Sequence, residues 1–268
     1  MTLAVRGRDD SASLLAVMLL VGGSLNGLAV RMAESWQLHG LESPLLGVSP
    51  FEVLAIAVGA RAIWAGGGHA ASAYFPLPEL ILGASLLVPS SSLAWFGVAF
   101  YGLIGALGAS RERRAGFLLF VALAGCSIWS SVLLKWWAGP ASAFDAHAVW
   151  TILSWLRPGL AVTGNVVGVP EGHNLIIMTA CTSASGLPKA LLGLAALTVL
   201  ANRPLSRRLA LAAAGVAVLS VAINLTRLVL MASSGDLYTL IHGPVGANVF
   251  DLIQTLVVIG IGLWAERP

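Results

Sequence analysis

The stretch "LALAAAGVAVLSVAINLTRLVLMA", residues 209–232, carries one charged side chain, Arg227. A helix needs about 20 mainly apolar residues to cross ~30 Å of hydrocarbon. Inside lipid each backbone N–H and C=O must be bonded within the protein, which leaves helices or a closed barrel. The apolar runs here are continuous rather than alternating, and that pattern selects helices. Composition agrees: 57% of residues are apolar, only 10% are charged, and mean hydropathy is +0.87. A soluble domain carries roughly 25% charged residues. The expected fold is an all-α integral membrane protein, a single multi-pass domain over residues 1–268.

Eight spans are expected, at about 13–31, 50–66, 75–89, 92–109, 115–134, 185–201, 209–232 and 249–265. The second and third are short. No small-residue cleavage site follows the first apolar run, so it is read as a retained helix rather than a signal peptide. Basic residues gather at Arg6 and Arg8, at Arg111, Arg113 and Arg114, and at Arg203, Arg207 and Arg208. The positive-inside rule assigns all three groups to the cytoplasm, and eight spans put them on one side together with the C-terminus. The outer side then holds loops 32–49, 135–184 and 233–248. The positive balance (15 basic, 12 acidic) is explained by topology. No basic patch with interleaved aromatics points to nucleic acid.

Loop 135–184 is long enough to form an extracytoplasmic cap. Val149, Ile152, Leu153 and Leu156 recur at helical spacing, which predicts an amphipathic helix on the membrane surface. Two β-like runs, 160–163 and 174–179, follow among Gly164, Gly168, Pro170 and Gly172, and suggest a hairpin. They lead to Cys181 at the head of the sixth span.

Three polar groups fall on the outer side. Cys181 lies in "TACTSASGL", Asn224 and Arg227 in "INLTR", and His242 and Gly246 in "IHGPVG". Arg227 stands about 7 Å below the outer end of its helix. It either snorkels to the headgroups or faces the bundle and offers fixed donors to a developing oxyanion. Asn224 is one turn away on the same face. Arg61, near the inner end of its span without polar company, reads as a snorkelling residue. His242, placed in a loop, titrates near neutrality and suits a general base. His173 is the rival base, and His147 a weaker one. A thiol near a cation or a helix N-terminus has a lowered pKa, and Cys181 sits where helix-start amides can face it. Ser183, Ser185 and Gly186 allow close backbone approach there. Cys126, inside an apolar run, reads as a packing residue. Two cysteines make no disulfide framework, and the histidines show no metal-ligand spacing. No metal or cofactor is expected.

These motifs resemble the exosortase/archaeosortase family of membrane cysteine proteases and transpeptidases. The resemblance rests on Ala180-Cys181 with small residues and Gly186 after it, on Asn224-Leu225-Thr226-Arg227, and on His242-Gly243-Pro244-Val245-Gly246, in that order. It covers about residues 115–265, and the first four spans carry no motif. Residues 182–185 intervene before Gly186, whereas the family's glycine follows the cysteine closely. The resemblance implies that Cys181, Arg227 and His242 are catalytic, supported by Asn224, Gly186 and Gly246. It implies a bacterial or archaeal plasma membrane location, with cytoplasmic termini and an outward-facing site. The partners would be exported proteins whose C-terminal signal combines a short motif, a membrane helix and a basic tail. Lys189 is placed to meet substrate carboxylates or to snorkel, and Asp251 to orient His242 or to cap its span. Two other readings stand beside this one. One is a non-catalytic permease or a subunit of an exopolysaccharide export system, which should tolerate Cys181→Ser. The other makes Ser183 or Ser185 the nucleophile.

Overall fold

Six helical segments are long and apolar enough to cross a membrane among the described residues of the computed structural model. Those residues are 2–39, 47–66, 77–88, 90–169, 172–204 and 206–267. The six are Ala12–Glu34 within α1 (Thr2–His39), α4 (Ser91–Gly108), the continuous Arg111–Trp136, α8 (Ser183–Leu200), α9 (Arg207–Ser233) and α11 (Pro244–Glu266). The segment Arg111–Trp136 comprises α5 (Arg111–Ile128), a π-helical turn (Trp129–Leu133) and the one-turn α6 (Leu134–Trp136).

The two remaining expected spans form shorter helices. α2 (Pro50–Ala65) has 16 residues and α3 (Leu77–Leu86) has 10. At 1.5 Å per residue α2 reaches about 24 Å, short of the ~30 Å core. The expected start of the third span at 75, and residues 40–46 of the first outer loop, lie outside the described residues. So do the side chains of Arg6 and Arg8.

Local chemistry explains where α2 begins. Ser49 caps it, Pro50 fills the first turn where no amide partner is needed, and Glu52 closes a capping box on the Ser49 amide at 2.7 Å. The Glu52 carboxylate is fully buried, and it accepts from Arg31 of α1 at 2.7 Å. A buried charge needs such a partner. The basic cluster of α5 departs from its expected place in a loop. Arg113 is 5% exposed and sits in the first helical turn, donating to Gly66 O and to Ser13 Oγ. It ties α5 to α1 and to the end of α2, so it is not a free headgroup cation. Arg61 is exposed, as a snorkelling residue would be.

Pro188 lies inside α8. A proline has no amide to give the carbonyl four residues back. That carbonyl, Ala184 O, instead accepts from the indole of Trp129 at 2.9 Å. Trp129 opens the π-helical turn, so an irregularity in one crossing helix satisfies an irregularity in its neighbour. The Cys126 thiol donates to Pro188 O at 3.3 Å and packs against the main core, consistent with a packing role.

The expected cap is formed by α7 (Ala138–Ser154) and a small antiparallel sheet. Strands β1 (Ala161–Thr163), β2 (Val166–Gly168) and β3 (Asn174–Ile176) pair in the order β1-β2-β3, with Thr163 opposite Val166 and Val167 opposite Leu175. The hairpin partner of β1 is thus β2, reached through Gly164 at φ +59°, rather than the run at 174–179. β3 ends at Ile176 because Thr179–Cys181 closes into a 3-10 turn. Val149 and Leu153 are buried, but Ile152 is 45% and Leu156 75% exposed. Ser142, Asp145 and Ala146 complete the buried stripe. α7 and the sheet pack on α9 through Ala146, Val149, Ile177, Leu228 and Met231, with Cys181 at the margin of this cluster.

Candidate functional site

Cys181 ends the 3-10 turn, two residues before the first residue of α8. Its amide donates to Met178 O at 2.8 Å. The N-cap position of α8 is Thr182, yet its side chain does not cap the helix; its hydroxyl donates back to Thr179 O at 2.8 Å. The cap comes from another helix. Asp145 of α7, 1% exposed, accepts from the Ser183 amide at 2.6 Å. The helix-start amide expected to face Cys181 is therefore engaged by a carboxylate. Ser185 donates its hydroxyl to Thr182 O at 2.7 Å and lies 2.9 Å from Ala180 O.

From the opposite wall, Asn224 of α9 donates to Cys181 O at 3.0 Å and to Ser183 Oγ at 3.1 Å. Arg227 follows one turn later. Its Nε is buried without a hydrogen-bond partner among the described residues.

His242 is the last residue of a short helix, α10 (Gly235–His242), and not a loop residue as the sequence suggested. Its ring stacks on Tyr238 with centroids 5.0 Å apart. Gly246 explains why a glycine stands four residues later. A Cβ there would lie 2.5 Å from the Ile241 Cα and from two backbone oxygens, so only glycine lets α11 fold back against the end of α10. Gly186 differs: the nearest atom to its added Cβ is Gln254 Nε2 at 4.0 Å.

The three motifs line one cleft of about 720 Å³. Cys181, Arg227 and His242 border it, as do Asn224 and Gly186. Gly246 does not; it acts through the corner it permits. His173 is outside the cleft, and its Nε2 donates to Met231 O at 2.9 Å. His147 is exposed on α7, with Nδ1 2.8 Å from Ala143 O. Lys189 and Asp251 both line the cleft, as do Arg31 of α1 and Lys135 of α6. Arg227 and Lys189 both act electrostatically on Asp251.

Burial pushes the Cys181 thiol above its ordinary pKa, and the Arg227 guanidinium and a Met178 backbone hydrogen bond act in the opposite direction. Desolvation of the thiolate prevails. The lowered pKa expected from a nearby cation and helix amides is thus not realised in the resting site. The Asp145 carboxyl is likewise raised by burial, against hydrogen bonds from the backbone and side chain of Ser183.

Chemically, the cleft joins a neutral thiol, an accessible imidazole and a guanidinium with an unused donor. Sequence reading missed Asp145, whose buried position directly after the exposed Phe144 is marked only by its place in the α7 stripe. It also missed the Arg31–Glu52 pair, although "SPFE" is a recognisable capping box. No family model, curated protein or solved structure matches the chain.

Proposed function

We propose that the chain is a membrane-embedded cysteine protease or transpeptidase that cleaves C-terminal sorting signals of exported proteins. The observation that carries this reading is that Cys181, Arg227 and His242, from three separate segments, border one cleft. In this reading His242 takes the thiol proton as Cys181 Sγ attacks the scissile carbonyl carbon. Arg227 donates to the oxyanion that develops. The C–N bond then breaks, the leaving amine takes the proton from His242, and a thioester remains. Water or an amine acceptor attacks the thioester and returns the thiol. A neutral resting thiol fits a mechanism in which the base acts during attack, rather than one with a preformed thiolate.

The topology completes the reading. In this reading the termini are cytoplasmic and Cys181 lies outside, and six crossings or eight give the same sides because α2 and α3 enter the count as a pair. A substrate helix would then pack beside the bundle with its scissile bond at the cleft.

The permease reading gains no support from the position of the polar groups, which gather around one cleft. The serine reading is disfavoured by hydrogen bonding. Ser185 spends its hydroxyl on backbone carbonyls, and Ser183 Oγ accepts from Asn224. The test is a reporter protein ending in a motif, an apolar helix and a basic tail, co-expressed with the chain. Cys181→Ala should abolish cleavage while insertion persists. Retained cleavage in that variant sinks the proposal, and loss with Cys181→Ala but not with Cys181→Ser would favour a hydroxyl mechanism.

A further inference from the structure

The cysteine loop is gripped by two side chains from two different elements. Asn224 takes the Cys181 carbonyl and the Ser183 hydroxyl. Asp145 takes the Ser183 amide. Only the first of these residues lies in a motif read from the sequence.

We propose that Asp145 is a positioning residue for Cys181, which makes the cap helix α7 part of the catalytic scaffold. Four observations carry this. First, α8 lacks a side-chain cap of its own, since the Thr182 hydroxyl turns back to Thr179 O. An uncapped helix start leaves amides in want of an acceptor. Second, a carboxylate at a helix N-terminus also meets the positive end of the helix dipole. Asp145 therefore fixes the point at which the 3-10 turn gives way to α8, two residues after the thiol. Third, Asp145 is itself rigidly held. The adjacent Ala146 is fully buried, as is Val149 one turn on, and both belong to the buried cluster that includes Leu228 and Met231 of α9. α9 is also the helix that carries Asn224 and Arg227. The thiol, its oxyanion donor and the cap are thus registered to one helix through Asp145 and Asn224. Fourth, a buried acid is costly where an apolar residue would pack. Its Oδ1 has no hydrogen-bond partner among the described residues, so the whole hydrogen-bonding role of Asp145 is directed at Ser183.

A displacement of ~1 Å at a nucleophile costs ~100-fold in rate. Loosening the α8 start should therefore lower turnover more than substrate binding, and should free the half-buried thiol. This rests on Cys181 being the nucleophile, so the experiment has one arm that needs no catalysis. The full-length protein in membranes is treated with N-ethylmaleimide, and modification of Cys181 and Cys126 is followed separately by peptide mass spectrometry. Cys126 reports global loosening, because its thiol is packed between α5 and α8. Asp145→Ala should raise the Cys181 rate ~5-fold or more, leaving Cys126 unchanged. Asp145→Asn, whose amide oxygen still accepts from Ser183 N–H, should restore the rate to within about twofold. In the cleavage arm, Asp145→Ala should lower kcat ~10–100-fold at similar KM, and Asp145→Asn should recover most of it. An unchanged Cys181 rate in Asp145→Ala overturns the proposal. So does a parallel rise at both cysteines, or failure of the asparagine to restore. If the native protein cleaves no reporter while Cys181 responds as described, the protease reading fails and the positioning of Cys181 by Asp145 stands.

Discussion

Asn224 donates from α9 to the carbonyl oxygen of Cys181 at 3.0 Å, across 43 residues of sequence. The same amide group reaches Ser183 Oγ at 3.1 Å. One side chain thus clamps the junction between the turn that presents the thiol and α8, one helical turn from Arg227. An Asn-x-x-Arg spacing therefore joins a clamp and a cation on one helix face.

Asn224→Asp removes the donor while keeping shape. A carboxylate placed against Cys181 O repels it, so reporter cleavage should fall ~100-fold or more, with kcat taking most of the loss. Asn224→Gln should fail too, since the longer side chain cannot reach both acceptors. Steady-state kinetics on purified variants check this; near-native turnover in Asn224→Asp would remove the clamp from the account.

Gly246 and Gly186 should respond oppositely to alanine. At Gly246 the new Cβ meets backbone at 2.5 Å, and that backbone carries His242. Gly246→Ala should lower cleavage at least ~10-fold, and His242→Ala should add little to it, because the two changes disable one group. Gly186→Ala has room and should stay within about twofold of native. The double variant and the two alanine variants measured side by side decide this.

The pH dependence of thiol reactivity follows from burial. Alkylation proceeds through the thiolate, and the Cys181 thiol lies above its ordinary pKa. Its alkylation rate should therefore rise at higher pH than that of an exposed thiol. Arg227 pulls the value down, so Arg227→Ala should move the midpoint further up. The rate at neutral pH falls ~10-fold for each unit of that move. For stability the sign is the same: the fold favours the neutral thiol, so this contribution is present below the ordinary thiol pKa and is lost as pH rises through the folded value. Maleimide labelling between neutral and alkaline pH, in a Cys126→Ala background, gives the profile.

The Arg31–Glu52 pair is buried on its acidic side, with Glu52 also capping α2. Breaking a buried pair from one side typically costs ~3–5 kcal/mol. Arg31→Ala should lower the thermal midpoint strongly by leaving the Glu52 carboxylate uncompensated. Arg31→Met with Glu52→Gln should recover a large part of the loss, because no charge then remains buried and the glutamine can still accept from the Ser49 amide. Melting of the three proteins in detergent tests the order.

Sequence alone determined that this chain belongs in lipid, that its backbone is helical, and that Cys181, Arg227 and His242 belong together. Those conclusions depend on local quantities: the length of apolar runs, the poverty of charge, and short motifs. Tertiary structure decided the rest. α2 is held to 16 residues by its own ends, the capping box at Ser49 and the last residue Ala65. The inward face of α7 is set by what α9 presents to it: Val149 and Leu153 are buried there, while Ile152 and Leu156 stay exposed. His173 and His242 look equivalent as residues, but the Met231 carbonyl engages one and the fold brings the other to the cleft. The thiol pKa also ran against local expectation, because desolvation depends on everything packed around Cys181, not on the neighbouring cation alone. Asp145 shows the limit most clearly. Its partner Ser183 is 38 residues away, and a cap supplied from another helix leaves no periodic mark in the sequence it serves.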